Sequence, residues 1–356
     1  MPAKVILWPE ESGATDNSLV GGKFANLATL RRANVNVPLA FSISATAYRD
    51  FVGKFEGNLR DVLSTVDYST FASIERASES IRRTITGAEM PTDVRSQVAS
   101  AYKELASRAG AKDDSLPVAV RSSATVEDSA DSSLAGQHET YLWVRGEDDL
   151  MRRVVDCWAS VFTARSLRYR DSKGLDQLGE EMAVAVQIMV RSTSSGVMFT
   201  LNPKNGDPSK IVIESSWGLG EAIVGGLVTP DLFTVDKVTF ELLERRLNRK
   251  QREFAVVNGK VVERAVEEAR QMAPSIPEDH AINLAKLGKA VEKQYGYPMD
   301  IEWAVDSSLK FPNDTFILQA RPETVWSQKK REASLSSSSA LDLVVDKLIR
   351  GERVGE

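Results

Sequence analysis

Apolar side chains recur along this chain with two spacings, one typical of helices and one typical of strands. Apolar residues three or four positions apart follow residue 19, span residues 94–105 and surround residue 157, which predicts three amphipathic helices. Shorter apolar or alternating runs predict strands, at LPVAVRS (116–122), ETYLWV (139–144), MAVAVQIMV (182–190) and SGVMFT (195–200). The first half of the chain is therefore predicted to mix helices and strands.

The second half of the chain is richer in strand patterns. IVIESSW (211–217) and TPDLFTV (229–235) predict strands, and AVVNGKVV (255–262) has Asn-Gly at the two-residue turn of a hairpin. A helix is predicted from about residue 278 to 294, with Ser275 and Glu278 spaced as a capping box. Two final strands, DIEWAV (300–305) and TFILQAR (315–321), complete a mixed α and β architecture.

Length and composition predict two lobes and a tail. At 356 residues, with 42% hydrophobic and 27% charged residues, the chain can bury a sizeable core and lies near the upper limit for one compact unit. The serine run at 334–339 has the composition of a flexible linker. We therefore expect an N-terminal lobe at 1–200, a C-terminal lobe at 201–330, and a linker with a tail at 331–356.

Charge and cysteine content narrow the class of protein. A net charge of −5 argues against a general nucleic-acid binder but permits a local basic pocket, so a small phosphorylated ligand fits better than a polymer. The sequence contains no apolar run long enough to span a membrane and starts without a basic leader. The single cysteine, Cys157, excludes an intramolecular disulfide and predicts a cytoplasmic protein. Its helical spacing predicts a buried core thiol.

The last two predicted strands place polar groups on one face. Alternation turns Asp300 and Glu302 to the same side of their strand, and it turns Gln319 and Arg321 together on the next. If the strands pair as a hairpin, these groups converge. Carboxylate and amide oxygens suit Mg²⁺ and a guanidinium suits phosphate, so Glu302 and Gln319 are candidate metal ligands. The alternative is the solvated face of an edge hairpin.

Two glycine- or serine-rich segments could bind an anion. LVGGK (19–23) precedes a helix, so its glycines permit close backbone approach and Lys23 supplies charge, although the spacing is not that of a Walker A loop. Arg121 ends a strand before a run of small hydroxylated residues whose N–H groups could wrap phosphates. A surface turn and an ordinary polar loop are the respective alternatives.

A third glycine-bearing turn and the two histidines favour no further chemistry. ESSWGLGE (214–221) follows a strand but lacks the G-x-G-x-x-G spacing, so a Rossmann fold is rejected. His138 and His280 lack the neighbours expected of a metal cluster or a nucleophilic triad.

Six motifs occur in an order that resembles one known family. They are GGKFANLATL, VRSSATVEDSADSSLAGQHET, GVMFTLNP, ESSWGLGEAIV, DIEW and LQARPET, between residues 15 and 326. Together they resemble the N-terminal nucleotide-binding domain of phosphoenolpyruvate synthases, pyruvate phosphate dikinases and rifampicin phosphotransferases. The resemblance implies an α+β ATP-grasp fold, in which two lobes clamp ATP.

The resemblance also implies roles for residues at matching positions. Lys23 and Arg121 would hold phosphates, Glu302 and Gln319 would bind Mg²⁺, and Arg321 would stabilise charge on the transferring group, which makes Lys23, Arg121 and Arg321 the catalytic set. Gly136, Gln137 and Thr140 would belong to a loop over the phosphates. The residues implied to line the adenine are Gln187, Met189 and Val190.

In this family a histidine on a separate swivelling domain attacks the β-phosphorus of ATP, which gives AMP and a pyrophosphohistidine. Neither His138 nor His280 lies in the family's Thr-x-His carrier motif. We therefore expect a partner subunit or domain with the phosphorylatable histidine. A split dikinase such as phenylphosphate synthase, with phenol as acceptor, is one arrangement; a fragment of a single-chain phosphoenolpyruvate synthase and an ATP-binding regulatory module are the alternatives.

Overall fold

Two antiparallel sheets form the framework of the protein. The computed structural model describes residues 4–111, 116–125 and 139–326. The strands are β1 (Ile6–Leu7), β2 (Ala40–Ile43), β3 (Val118–Ala124), β4 (Thr140–Val144), β5 (Met182–Ile188), β6 (Ser192–Phe199), β7 (Lys210–Trp217), β8 (Asp231–Asp236), β9 (Leu242–Arg246), β10 (Arg252–Val257), β11 (Lys260–Ala265), β12 (Met299–Asp306) and β13 (Thr315–Pro322). The first sheet has the order β1-β2-β5-β3-β4 and the second β13-β12-β6-β7-β8-β9, while β10 pairs with β11 alone.

Helices cover both sheets. The α-helices are α1 (Asn17–Arg32), α2 (Ala45–Val52), α3 (Glu56–Ser64), α4 (Phe71–Thr86), α5 (Thr92–Arg108), α6 (Glu147–Ala159), α7 (Ala164–Ser172), α8 (Glu221–Val224), α9 (Glu268–Gln271) and α10 (Glu278–Tyr295). The three amphipathic helices expected from the sequence are α1, α5 and α6. The mixture of helices with two antiparallel sheets confirms the predicted α+β class.

One hydrophobic core fills the space between the first sheet and helices α2 to α6. Val184 and Val186 of β5 point into it, together with Trp158 of α6 and Ile81 of α4. Ala185, between the two valines, points to the opposite face and joins a different core. Because β5 is buried on both faces, its sequence is a continuous apolar run instead of an alternating one.

A second core lies between the two sheets and around α10. Phe24 and Leu30 of α1 pack in it with Trp303 of β12 and Leu284 of α10. Helix α1 therefore joins the first part of the chain to the second sheet. The side chain of Cys157 is fully buried in the first core, as predicted, and burial strongly raises the pKa of its thiol.

The Asn258-Gly259 turn forms as predicted. Both residues have positive φ, at 49° and 73°, which is the backbone of a type I′ turn. Val257 and Lys260 face each other across it. The resulting β10–β11 hairpin reaches β4, because the aromatic ring of Trp143 lies beside Gly259.

Two details of the predicted pattern were wrong. Helix α10 is capped by Pro277 without a side-chain bond, and the hydroxyl of Ser275 donates instead to the carboxylate of Asp231, so the capping box does not form. In β13, simple alternation predicts that Phe316, Leu318 and Ala320 share one face, opposite Gln319 and Arg321. The strand is irregular opposite Glu302 and Trp303, so Ile317 enters the core and Leu318 turns to the other face.

The division of the chain at residue 200 stays a prediction. Strand β6, which ends at Phe199, pairs with β7 and β12 of the second sheet. Met189 to Arg191 form the short connection between the two sheets. Among the helices of the described ranges, none combines the length and apolar character needed to cross a membrane.

Candidate active site

A cleft of about 450 Å³ opens where the two sheets meet. One end is apolar and the other is polar. Residues that line it are Ala119, Arg121, Thr140, Leu142, Gln187, Ile188, Met189, Val190, Ser192, Leu219, Gly220, Glu221, Val224, Gly225, Glu302 and Leu318. The wall therefore includes β3, β4 and β5 of the first sheet and β12 and β13 of the second, so both sheets contribute to one site.

Arg121 joins the two sheets at the polar end of the cleft. Its Nη2 donates to Glu302 Oε2 at 3.0 Å and to Gln319 Oε1 at 2.6 Å. Its Nη1 donates to Gln187 Oε1 at 3.4 Å and to the carbonyl of Leu318 at 3.3 Å. The side chain is only 13% exposed. A single guanidinium thus binds acceptors from β5, β12 and β13.

The register of the last hairpin explains why two oxygen donors meet at Arg121. Glu302 and Gln319 are directly opposite each other in the pairing of β12 with β13. Side chains of directly opposite residues project to the same face, so the carboxylate and the amide lie together. The convergence predicted from alternation is therefore present for this pair.

A break in α1 places Lys23 beside β3. Gly21 has φ 69° and ψ 164°, outside the helical region, and an added Cβ would lie 2.0 Å from the carbonyl oxygen of Ser123. The hydroxyl of Ser123 donates to Val20 and accepts from the N–H of Phe24. The freedom of this glycine thus serves close packing of α1 on β3. Lys23 Nζ in turn donates to the carbonyl of Ser122, next to Arg121, at 3.1 Å.

The apolar end of the cleft is built by both sheets and the β10–β11 hairpin. Met189 and Leu219 form a small buried cluster with Ala119, and Leu142 and Phe254 pack against it. The N–H of Leu219 donates to the carbonyl of Phe254 at 2.9 Å. A flat apolar ring system fits such a surface, because dispersion and burial favour it without demanding charged partners.

Asp300 and Arg321 form a second ion pair in the same hairpin, next to the opposed residues Glu302 and Gln319. They are opposite each other in the hairpin, with Arg321 Nε 3.5 Å from Asp300 Oδ2. Burial raises the pKa of Asp300 to about 6, and the nearby charge of Arg321 opposes that rise. Arg321 is 44% exposed, so its guanidinium remains accessible from solvent.

Glu221 was overlooked in the sequence, although it lines the cleft. It starts α8, directly after the WGLG turn, and the Oε2 atom of its half-buried side chain is buried. Burial raises its pKa most; a hydrogen bond from its own backbone N–H and the charge of Arg121 lower the pKa, and the charge of Glu302 raises it. The only sequence signal was an acidic residue after a glycine turn, which equally describes an exposed first helical turn.

The predicted site residues are distributed over the described part of the chain as follows. Arg121, Thr140, Gln187, Met189, Val190 and Glu302 line the cleft, and Gln319 is bonded to Arg121. Lys23 and Arg321 do not line it. Lys23 donates to the carbonyl of Ser122 in β3, and Arg321 follows Gln319 by two residues in β13. Gly136 and Gln137 lie outside the described residues. The proposed roles of all these residues remain predictions.

The donor set at the polar end fits Mg²⁺ with phosphate. Glu302 Oε2 and Gln319 Oε1 bind one nitrogen of Arg121, so both oxygens lie around one positive centre. The described ranges hold no group of three or more His, Cys, Asp or Glu side chains suited to a metal. Mg²⁺ commonly takes one or two protein oxygens and completes its shell with substrate phosphates and water. The two protein oxygens are compatible with that mode.

Comparisons with known proteins identify the family. Residues 17–340 match the family described as pyruvate phosphate dikinase, AMP/ATP-binding domain. A phosphoenolpyruvate synthase of Aeropyrum pernix is 42% identical over 363 residues, and a probable phosphoenolpyruvate synthase of Staphylothermus marinus is 40% identical over 354 residues. A probable phosphoenolpyruvate synthase of Methanocaldococcus jannaschii is 39% identical over 333 residues. The α+β fold described above is consistent with the ATP-grasp fold that the resemblance implied.

The matched region is only part of each relative. It covers 94%, 92% and 92% of this chain in the same order, but 44%, 42% and 27% of the three relatives. The chain thus spans less than half the length of these proteins.

Proposed function

Because this chain belongs to the pyruvate phosphate dikinase AMP/ATP-binding domain family, we propose that it binds and cleaves ATP as one component of a dikinase. The observation that supports this most is the contact of one guanidinium, that of Arg121, with both Glu302 and Gln319. In this proposal the base of ATP occupies the apolar end of the cleft, and its phosphates extend toward Arg121.

Arg121 holds the phosphates of ATP in place. Its guanidinium already lies in the cleft and is only 13% exposed, so its charge acts in a site with little water. Binding of phosphate requires it to exchange some of its present acceptors for phosphate oxygens. Planar guanidinium groups bind phosphate with two parallel bonds, which fixes orientation as well as charge.

Lys23 and Arg321 supply the remaining positive charge. Lys23 is held by the carbonyl of Ser122 next to Arg121, and Arg321 is held by Asp300. In the proposal Lys23 binds phosphate oxygens from the α1 side and Arg321 stabilises charge on the group being transferred. Mg²⁺, held by Glu302 and Gln319, would neutralise phosphate charge when bound. Fixed charges of this kind supply most of the catalysis in phosphoryl transfer.

The acceptor of the first transfer is a histidine outside the described residues, on another domain or subunit. The imidazole nitrogen attacks the β-phosphorus, the bond from that phosphorus to the α-phosphate oxygen breaks, and AMP leaves with the bonding pair. Water then removes the terminal phosphate, and the phosphohistidine passes its phosphoryl group on. His280 does not suit this role, because its Nε2 bonds Asp314 at 3.0 Å and it does not line the cleft.

Pyruvate is the final acceptor that we propose first, because the relatives reported above are phosphoenolpyruvate synthases. Phenol, as in a split phenylphosphate synthase, requires the same ATP chemistry from this chain and is the second candidate. The two candidates differ only in the domain or subunit that binds the acceptor.

The proposal is tested by identifying which nucleotide forms from ATP. The chain is incubated with Mg²⁺ and ATP radiolabelled at the β-phosphorus, together with the histidine-bearing domain or subunit that occurs with it. We expect AMP, and label on a histidine, seen as an acid-labile and base-stable adduct. Addition of pyruvate or of phenol then identifies the acceptor that removes the label. Formation of ADP would overturn the dikinase proposal, and ATP binding without any cleavage would support a regulatory module instead.

A further inference from the structure

A connection of three residues, Met189 to Arg191, joins the two sheets, and each of its ends is fixed to one of them. The N–H of Met189 donates to the carbonyl of Pro117, directly before β3 of the first sheet, at 3.0 Å. The N–H of Arg191 donates at 3.0 Å to Oδ2 of Asp306, which ends β12 of the second sheet. Met189 and Val190 of this connection line the cleft. Asp306 therefore takes part in placing the apolar end of the cleft relative to the second sheet.

The carboxylate of Asp306 is buried, and both of its oxygens accept hydrogen bonds. The residue is only 9% exposed. Its Oδ1 accepts from the N–H and the hydroxyl of Ser308, at 2.7 and 2.5 Å, while Oδ2 accepts from Arg191. The pairing of β12 with β6 shifts between Val305 and Asp306, so this side chain supplies an acceptor where the backbone ladder is irregular. Hydrogen bonds to a carboxylate are stronger than those between neutral groups, so they fix this end of the connection firmly.

Glu302, the proposed metal ligand, belongs to the same strand as Asp306. Four residues along an extended strand span about 13 Å. Because β12 is paired on both sides, with β13 and with β6, that separation is fixed. One strand thus carries the metal end of the cleft and, through Asp306, holds the connection that lines the apolar end. ATP bound as proposed extends from one of these parts to the other.

We propose that Asp306 is a positioning residue, which keeps the apolar end of the cleft at a fixed distance from Glu302 so that both ends of ATP bind at once. This role rests on the proposed binding and cleavage of ATP in the cleft. When two linked groups bind, the second contact is intramolecular, and the resulting gain in affinity is lost if the geometry does not permit both contacts. A displacement of about 1 Å caused far from the reacting atoms can also slow the chemical step about 10²-fold.

Asp306→Ala removes the acceptor of the Arg191 N–H and tests this role. With Mg²⁺, ATP should bind roughly 10- to 100-fold more weakly, as part of the gain from linkage is lost. Formation of AMP at saturating ATP, with the histidine-bearing component present, should be roughly 10- to 100-fold slower. Titration calorimetry and initial rates give the two values. Hydrogen exchange of the Arg191 amide, followed by NMR, should become faster and so report directly that the connection is released.

Two shorter ligands separate positioning from a general loss of structure. AMP reaches the base end of the cleft, and Mg²⁺-tripolyphosphate reaches only the phosphate end. Asp306→Ala should bind each of them within about twofold of the wild-type affinity, because neither has to span the fixed distance. Asp306→Asn keeps the shape and one acceptor oxygen, so it should give an intermediate loss for ATP and provides a second, milder variant.

Asp236→Ala is the matched control. Asp236 also ends a strand of the second sheet, β8, and accepts from the N–H groups of Val238 and Thr239 at 2.9 and 3.0 Å. It does not line the cleft and does not contact the connection through any of these bonds. This variant should lose stability toward urea, as Asp306→Ala does, but it should keep the wild-type affinity for ATP and the wild-type rate of AMP formation.

Three results would overturn the role of Asp306. The first is wild-type ATP affinity and turnover in Asp306→Ala although the Arg191 amide exchanges faster. The second is an equal loss of affinity for ATP, AMP and tripolyphosphate, which a purely structural role predicts. The third is the same loss of ATP binding in Asp236→Ala. Failure of the wild-type chain to bind ATP would instead refute the proposed function, and this role with it.

Discussion

Arg121 and Glu302 lie 181 residues apart in the sequence and form an ion pair at 3.0 Å between the two sheets. The same arginine nitrogen binds Gln319. The two oxygens proposed as metal ligands therefore both accept hydrogen bonds from one guanidinium in this structure. In the proposed function, nucleotide binding would redistribute these contacts: Arg121 would move part of its bonding to phosphate, and Glu302 and Gln319 would become available to the cation.

Glu302→Gln should slow Mg²⁺-dependent ATP cleavage by about 10²- to 10³-fold, the usual cost of removing one preorganised electrostatic group. The fold should persist, because the side chain is 36% exposed and an amide can still accept from Arg121. The measurement is the initial rate of AMP formation with the histidine-bearing component present. Glu244→Gln, on the exposed strand β9, is the control and should keep the wild-type rate. A Glu302 variant as fast as wild type would contradict the role assigned to this carboxylate.

Arg121→Lys should weaken binding of Mg²⁺-ATP by roughly 10- to 100-fold, since one or two charged hydrogen bonds are lost. A lysine keeps the charge but has one nitrogen, so it cannot bond Glu302, Gln319 and phosphate with the fork geometry of arginine. Titration calorimetry measures the effect. Arg246→Lys is the control, because its pair with Glu244 is exposed. Equal affinity of Arg121→Lys and wild type would show that charge alone suffices.

Gly21→Ala should destabilise the protein by about 1–3 kcal/mol and weaken ATP binding, because φ is positive and the new methyl group would collide with the carbonyl of Ser123. Displacement of β3 would also move Arg121. Gly57→Ala is the matched control: in α3 nothing lies within 4 Å of the added carbon, and alanine should stabilise the helix by roughly 0.5–1 kcal/mol. Urea unfolding measures both variants, and the same sign of change in both would contradict the packing role of Gly21.

Asp300→Asn should stabilise the nucleotide-free protein at neutral pH but much less at pH 4.5. The pKa of Asp300 is raised to about 6, so the folded state binds its proton more tightly than the unfolded state does. Stability from this group is complete below the unfolded pKa, near 4, and is lost as pH rises through about 6.

The lost stability amounts to roughly 2–3 kcal/mol above pH 7, at 1.36 kcal/mol for each pKa unit. Asparagine mimics the protonated form and avoids that loss, although it also gives up the attraction of Arg321. Chemical unfolding at pH 4.5 and 7.5 measures the difference between the two proteins. A difference that does not grow with pH would show that Asp300 ionises as readily in the folded state as in the unfolded state.

Lys250→Met should destabilise the protein by about 3–5 kcal/mol, because it leaves a buried charge without its partner. Lys250 and Asp231 are both fully buried and lie 2.6 Å apart. Arg60→Met is the control, since its pair with Glu56 is exposed and should be worth less than about 1 kcal/mol. Guanidinium unfolding gives both values. Comparable losses in the two variants would mean that burial does not determine the energy of the Asp231 pair.

The alternation of side chains along each strand was sufficient to predict the parts of the site that lie on adjacent strands. Alternation in DIEWAV and TFILQAR, with hairpin pairing, brings Glu302 opposite Gln319 and Asp300 opposite Arg321. The same reasoning failed for Leu318, because the irregularity in β13 depends on how the two strands fit each other and not on the residue types of one strand. Glu221 was missed for a similar reason, since burial of an acidic residue after a glycine turn is decided by distant chain segments.

The sequence by itself determined the α+β class, the family through its ordered motifs, and the local pairings that follow from a period of two residues. Only the tertiary structure decided that Arg121 would bond residues of the second sheet, that Gly21 would pack on Ser123, and that Glu221 would enter the cleft. The physical reason is range: alternation and turn preference act over a few residues, whereas burial and ion pairing between sheets depend on packing of segments a hundred or more residues apart.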